Sequence, residues 1–311
     1  MRGKFGIKGL ICKLAGSALF FSMPLPAAAG GFLWLSGEFA TPVSIYRYNI
    51  QTGLIDMTVQ PSFGGGPLDP SADVYNNLAY DGSYLYVGSD DDNLLAKADP
   101  RSGTILSSTT YSPAPNPPSS WEDGAYHAGS GNLWRTGTTP TLLETTVTGA
   151  VIARYDVVGA STLDGLEWVG NTLYATTFSA FGSISLSGSI ATFTELFGPN
   201  TTIPSGYPAD QLPYGLALDQ QAGLLYMVSS DTFLGGSSTS LWTVDPIKGT
   251  ATFVSDLIAA GYPVGGNINP DAMGWVPMGV PEPSMLSLFG LAGIGLLGHF
   301  RRKDRFLRPG Q

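Results

Sequence analysis

The chain has 311 residues, 13% charged and 43% hydrophobic, with 41 glycines, 23 prolines and one cysteine. Its formal charge of −9 understates an asymmetry: nine of the 15 basic residues lie near the two ends, leaving residues 30–279 with 22 acids and six bases. Such a body repels nucleic acid and anionic lipid, and the lone Cys12 excludes a disulfide framework or a thiolate metal site.

Residues 1–29 read as a signal peptide. Arg2, Lys4, Lys8 and Lys13 make a basic start, residues 14–25 an apolar stretch, and Ala27, Ala28 and Ala29 a small-residue cleavage site. Pro24 and Pro26 break the run, which argues against a permanent span, and the expected mature chain starts at Gly30. Cys12 lies inside this segment with the apolar stretch after it, which is not the arrangement of a lipid-bearing cysteine.

From Gly30 to residue 279 the chain reads as short strands separated by Gly, Pro, Asn and Asp turns, and long helical periodicity is absent. Five units pair an apolar strand with a second strand built on Leu-aromatic. Residues 77–80 precede Leu85-Tyr86, 123–126 precede Leu133-Trp134, 164–168 precede Leu173-Tyr174, and 214–218 precede Leu225-Tyr226. The fifth unit is split between residues 271–275 and Leu33-Trp34, the permutation expected when both termini close a ring. Each unit then supplies two further strands. Two of these hairpins turn through Asp99-Pro100-Arg101-Ser102-Gly103 and Asp245-Pro246-Ile247-Lys248-Gly249, and residues 44–53 form a weaker copy. Proline suits the second position of a type I turn and glycine the left-handed position after it. Four strands per unit at this spacing predict an all-β fold, a β-propeller of five four-stranded blades closed by both termini. The Asp-Pro-x-x-Gly-Thr hairpins resemble those of the broad bacterial propeller group with YVTN-type and quinoprotein-like repeats, a resemblance that implies no function.

In such a ring the short turns share one face and the long connections share the other. The long set includes residues 60–74, 111–120, 198–212, 229–240 and 257–270, and recognition is expected among them. Asn77, Asp123, Asp164, Tyr214 and Asp271 read as equivalent starts of the inner strands on that face. Asn77, Asp123, Asp164 and Asp271 are therefore the candidate ligand or cation site, with Asp123, Asp164 and Asp271 as oxygen ligands for Ca²⁺. The same carboxylates, joined by Glu167 or Glu122, suit a glycoside hydrolase, or they cap loops by hydrogen bonding to backbone. His127 is the one histidine of residues 30–279, and no Gly-x-Ser-x-Gly elbow accompanies it. Asp90-Asp91-Asp92-Asn93 reads as a solvated acidic turn and Gly64-Gly65-Gly66 as a loop without phosphate-binding context. Trp34, Trp134, Trp168, Trp242 and Trp275 are expected between blades, and Trp121 is the tryptophan placed to stack on a sugar.

The chain closes with Val280, Pro281, Glu282, Pro283 and Ser284, an apolar stretch over residues 285–300, then Arg301, Arg302, Lys303 and Arg305. The prolines prevent a helix from starting before Ser284, a suitable N-cap. A helix over 285–300 would reach about 24 Å, short of the roughly 30 Å hydrocarbon core, with the arginines on the cytoplasmic side. Residues 280–311 make up the expected sorting segment: over about residues 280–305 this ordered tail resembles the PEP-CTERM sorting signal of Gram-negative bacteria, and Phe306 to Gln311 extend beyond its usual end. The resemblance implies an exosortase partner that reads Pro281-Glu282-Pro283, transient anchoring in the inner membrane, and delivery to the cell surface or outside. Together these features predict an exported binding or matrix-associated module whose partner is an extracellular polysaccharide or a surface protein. The alternatives are a polysaccharide hydrolase with acids at the channel mouth and a purely structural surface protein.

Overall fold

The computed structural model describes residues 30–37, 44–61, 75–89, 94–112, 121–137, 140–231, 236–263 and 270–278. The expected signal peptide, the tail with its helix over 285–300, Asp90 to Asn93 and Gly64 to Gly66 lie outside the described residues, as do the side chains of Trp121 and Glu122.

The described residues form twenty strands, β1 (Gly31–Gly37) through β20 (Met273–Pro277), arranged as five antiparallel blades. Blade I is β20-β1-β2 (Ser44–Asn49)-β3 (Leu54–Val59), and blade II is β4 (Tyr75–Tyr80) to β7 (Ile105–Thr110). Blade III runs from β8 (Trp121–His127) through β9 (Asn132–Gly137) to β11 (Val151–Val158). Blade IV runs from β12 (Leu166–Val169) through β13 (Thr172–Thr176) to β15 (Ile190–Phe197), and blade V from β16 (Leu212–Asp219) through β17 (Leu224–Ser230) to β19 (Thr250–Asp256). The innermost strands meet in a closed cycle, β20 against β4, β4 against β8, β8 against β12, β12 against β16 and β16 against β20. The ring is a β-propeller, closed as expected by pairing the C-terminal β20 with β1, where Leu33 faces Trp275 and Trp34 faces Gly274.

One join was not foreseen. The outer strands of blades III and IV pair in parallel, Asp156 with Ile190 through Val158 with Thr192, which merges the two blades into one eight-stranded sheet. β11 has eight residues where β3 and β7 have six, and its last residues supply the edge that β15 meets.

Because side chains alternate along a strand, each blade buries both faces, and the core is split among the gaps between blades. Five apolar clusters fill five gaps. Trp275 and Leu33 meet Tyr226 and Leu241 between blades I and V. Trp34 meets Leu78 and Leu85 between I and II, and Tyr86 meets Leu133 between II and III. Trp134 meets Leu166 between III and IV, and Phe181 meets Trp242 between IV and V. Full burial of one such side chain is worth about 1.5–3 kcal/mol, so the ring is held together mainly by these gaps. Four of the five strand tryptophans are buried in them, Trp34 completely, and Trp168 packs at the margin.

The hairpin turns form for the reason their sequence suggests. Asp99 Oδ1 accepts the N–H groups of Arg101 and Ser102, Asp245 Oδ1 those of Ile247 and Lys248, and Gly103 and Gly249 take positive φ. Asn49 plays the same part in the weaker copy, accepting from Gln51 and Thr52.

Candidate functional site

Pairing with the second strand of each blade fixes which inner-strand residues stand level. Opposite the residue after the shared leucine are Ala79, Ala125, Glu167, Ala217 and Gly274, paired with Tyr86, Trp134, Tyr174, Tyr226 and Trp34. These positions face the next blade close to the axis, where the blades converge and leave room for alanine or glycine. Glu167 is the exception. Its carboxylate accepts the Trp168 N–H at 2.8 Å and the free-edge N–H of Leu218 in blade V at 3.1 Å.

Two residues earlier on the same side stand Asn77, Asp123, Gly165, Gly215 and Ala272. Gly165 N donates to Thr176 Oγ1 at 2.6 Å and Ala272 N to Ser36 Oγ at 2.9 Å, which ties both to that level of the second strand. The sequence expectation of equivalence is therefore corrected by one residue: Asp164, Tyr214 and Asp271 precede this level rather than share it. A one-residue offset turns a side chain to the other face of a strand.

Asn77, Asp123, Asp164 and Asp271 are all buried. Asp123 Oδ1 accepts the Gly124 N–H at 2.7 Å, while Oδ2 accepts Leu166 N at 3.0 Å and Leu216 N at 3.3 Å. One carboxyl thus stitches three inner strands across the channel, in the backbone-bonding role weighed above. Burial pushes its pKa well above the usual carboxylate range against these three N–H groups, and nearby Glu167 pushes it further. Asn77 fits against glycine on both sides, since a Cβ at Gly88 or Gly124 would lie 2.7 Å or less from its atoms. Among the described residues no three acidic, histidine or cysteine side chains gather as a metal-holding group.

Beyond this plug the channel widens into a funnel of about 350 Å³ on the short-turn face. Every blade contributes to its wall, with Trp275, Tyr80, Tyr126, Glu167 and Leu218 from blades I to V in turn. Recognition was expected on the opposite face, where residues 198–212 are described in full while residues 62–74, 113–120, 232–235 and 264–269 lie outside the described residues. Burial raises the Glu167 carboxyl to about 8, with the Trp168 and Leu218 N–H groups pulling the other way. The other wall carboxylate, Asp81, is committed to its own turn, accepting from Ser83 N, Tyr84 N and the Tyr86 hydroxyl.

A second cavity of about 400 Å³ adjoins the funnel and shares Tyr126, Ala128, Leu218 and Gln220 with it. His127 lines this one, its ring 4.2 Å from that of Trp168 and its Nδ1 3.0 Å from Ser130 Oγ. Sequence reasoning noted Glu167 only as an accessory to Asp164 and passed over Tyr80 and Tyr126. Aligning the units on their Leu-aromatic strands does not reveal this column, because Ala79 and Glu167 stand seven residues before their partners and Ala125 and Ala217 nine.

No curated protein matches the chain. In fold the body is similar to a chain of the nidogen/laminin complex, at 14% identity over 79% of this chain and 98% of that one, with a TM-score of 0.45. It is similar also to the glutaminyl cyclase of Myxococcus xanthus, at 16% identity over 65% and 88% with a TM-score of 0.41. A protein of unknown function from Bacteroides caccae gives 12% identity over 79% and 99%, with a TM-score of 0.42. Residues 279–303 match the PEP-CTERM protein-sorting motif, so the β-propeller is followed by a signal for export and transient membrane anchoring.

Proposed function

We propose that the protein is an exported binding module, sorted by an exosortase and displayed at or beyond the cell surface, which engages a glycan or a surface protein through the funnel of its short-turn face. The observation that carries this reading is the funnel itself, a concave site of about 350 Å³ to which all five blades contribute and in which one glutamate replaces the small residues of the other blades. Cavities of roughly 300–1,000 Å³ with a few convergent polar groups are the usual form of a ligand site. A hydrolase reading needs a second carboxylate facing Glu167, and Asp81 is already bonded within its turn.

The test is binding of labelled full-length protein to cells of the native host. Ala128 is exposed in the turn after β8 and borders both cavities, so Ala128→Trp obstructs them without touching the core. Saturable binding that the variant weakens by about tenfold or more, roughly 1.4 kcal/mol, supports the reading. Equal binding by both proteins rejects the funnel as the recognition surface.

A further inference from the structure

We infer that the funnel and its adjoining cavity together bind a neutral, hydroxyl-bearing sugar chain, with Glu167 hydrogen-bonding the innermost unit. This ligand class rests on the funnel being the recognition surface.

Three observations lead to it. First, the two cavities share a border at Tyr126, Ala128, Leu218 and Gln220, so together they offer room to successive units of a chain rather than to one compact molecule. Second, among the described residues neither wall carries a lysine or arginine, while Asp81 and Glu167 stand in the funnel. An anionic ligand would find no basic partner in the funnel and would meet the Asp81 carboxylate. Third, the polar groups are of the kind that pair with hydroxyls: the amides of Gln220 and Gln221, the phenol of Tyr126, and the Glu167 carboxyl. Trp168, in the second cavity, adds an aromatic surface for the carbon face of a sugar ring.

Glu167 suits a hydroxyl in particular. Its two oxygens already accept backbone N–H groups, and burial favours the protonated form at neutral pH. A protonated carboxyl donates one hydrogen bond and accepts others, which matches a hydroxyl that does both. The titratable groups that bear on it are Asp123 and Tyr126 of β8, Tyr80 and Asp81 at the end of β4, and Tyr174 opposite it on β13. The funnel walls from β16 and β20 bring Leu218, Gly274 and Trp275, which do not titrate.

The experiment titrates the full-length protein by calorimetry with neutral gluco-, galacto-, manno- and xylo-oligosaccharides, and with glucuronate and glucosamine as charged counterparts. A neutral oligomer is expected to bind more tightly than its monomer, and glucuronate about tenfold more weakly or worse. Glu167→Gln keeps a donor and an acceptor and should retain affinity within about threefold, whereas Glu167→Ala should lose about tenfold or more. Affinity of the unaltered protein should fall as pH passes about 8, and that of Glu167→Gln should not. Preference for glucosamine over the neutral sugars at about pH 6, where its amine is charged, overturns the neutral class. Equal affinity in Glu167→Ala overturns the role of Glu167. If no sugar binds while Ala128→Trp still abolishes attachment to cells, the sugar class fails and the funnel remains; if Ala128→Trp attaches normally, the funnel reading fails first.

Discussion

Thr176 Oγ1 donates a hydrogen bond to the carbonyl of Tyr214 at 2.7 Å, joining the second strand of blade IV to the inner strand of blade V. The same hydroxyl accepts Gly165 N at 2.6 Å, so Gly165 is pressed between two blades. A Cβ there would lie 2.3 Å from the Tyr214 carbonyl oxygen and 2.6 Å from Thr176 Oγ1. Backbone cannot swing aside as a side chain can. Gly165→Ala is therefore expected to destabilise the body by about 1–3 kcal/mol, read as a lowered urea midpoint. An unchanged midpoint would show that the gap between blades IV and V yields more easily than its contacts imply.

Asp123 should matter for stability through the N–H groups it receives. Asp123→Ala leaves the Leu166 and Leu216 N–H groups without their acceptor across the channel. Each orphaned buried donor costs about 1–3 kcal/mol, so a loss of roughly 2–6 kcal/mol is expected. Asp123→Asn retains an accepting oxygen and should cost less than half as much. Equilibrium unfolding of the two variants decides the matter, and equal, small losses would remove the stitch from the account.

The funnel carboxyl gives stability a pH dependence of definite sign. Glu167 titrates near 4.5 when unfolded and near 8 when folded, so between those values the folded state holds the extra proton. Its contribution is fully present below about pH 4.5 and is lost as pH rises through about 8. Asp123, raised in the same direction, adds to the fall. Melting temperatures measured from pH 5 to 9 should decline more steeply for the unaltered protein than for Glu167→Gln. Parallel curves would count against a raised Glu167.

For the tail, Glu282→Ala in the native host should leave the C-terminal segment unprocessed while the body folds, because the ring is already closed at Pro277. Intact-mass measurement of the exported chain, with its location, gives the readout. Normal trimming of the variant would mean that the tripeptide is not what the sorting enzyme reads.

Much of the fold was legible because the repeats carry two independent signals. The Leu-aromatic strands announce the gaps between blades, and Asn49, Asp99 and Asp245 announce three of the outer hairpins; both signals are local. The split fifth unit could be paired because each end supplied strands the other lacked. The site was harder to read. Register near the strand starts depends on bulges, such as those between Tyr75 and Asn77 and between Trp121 and Gly124, and a bulge shifts the count by one residue without marking the sequence. Asp164 and Asp271 lie just before the paired stretches of β12 and β20, so their level had no partner in the sequence to count from. Glu167 was underrated because its meaning lies in contrast with Ala79, Ala125, Ala217 and Gly274, a comparison possible only once the column is known. The parallel join of β11 and β15 depends on how far one edge overhangs another, and no short motif encodes that.

Closure by β20 also sets a leash. The strand ends at Pro277, Met278 stands on the funnel rim, and the matched sorting segment starts at residue 279. From Met278 to Pro281 a fully extended chain spans at most about 11 Å. The signal for export and transient membrane anchoring thus begins directly after the residue at the funnel rim, one residue past a finished ring.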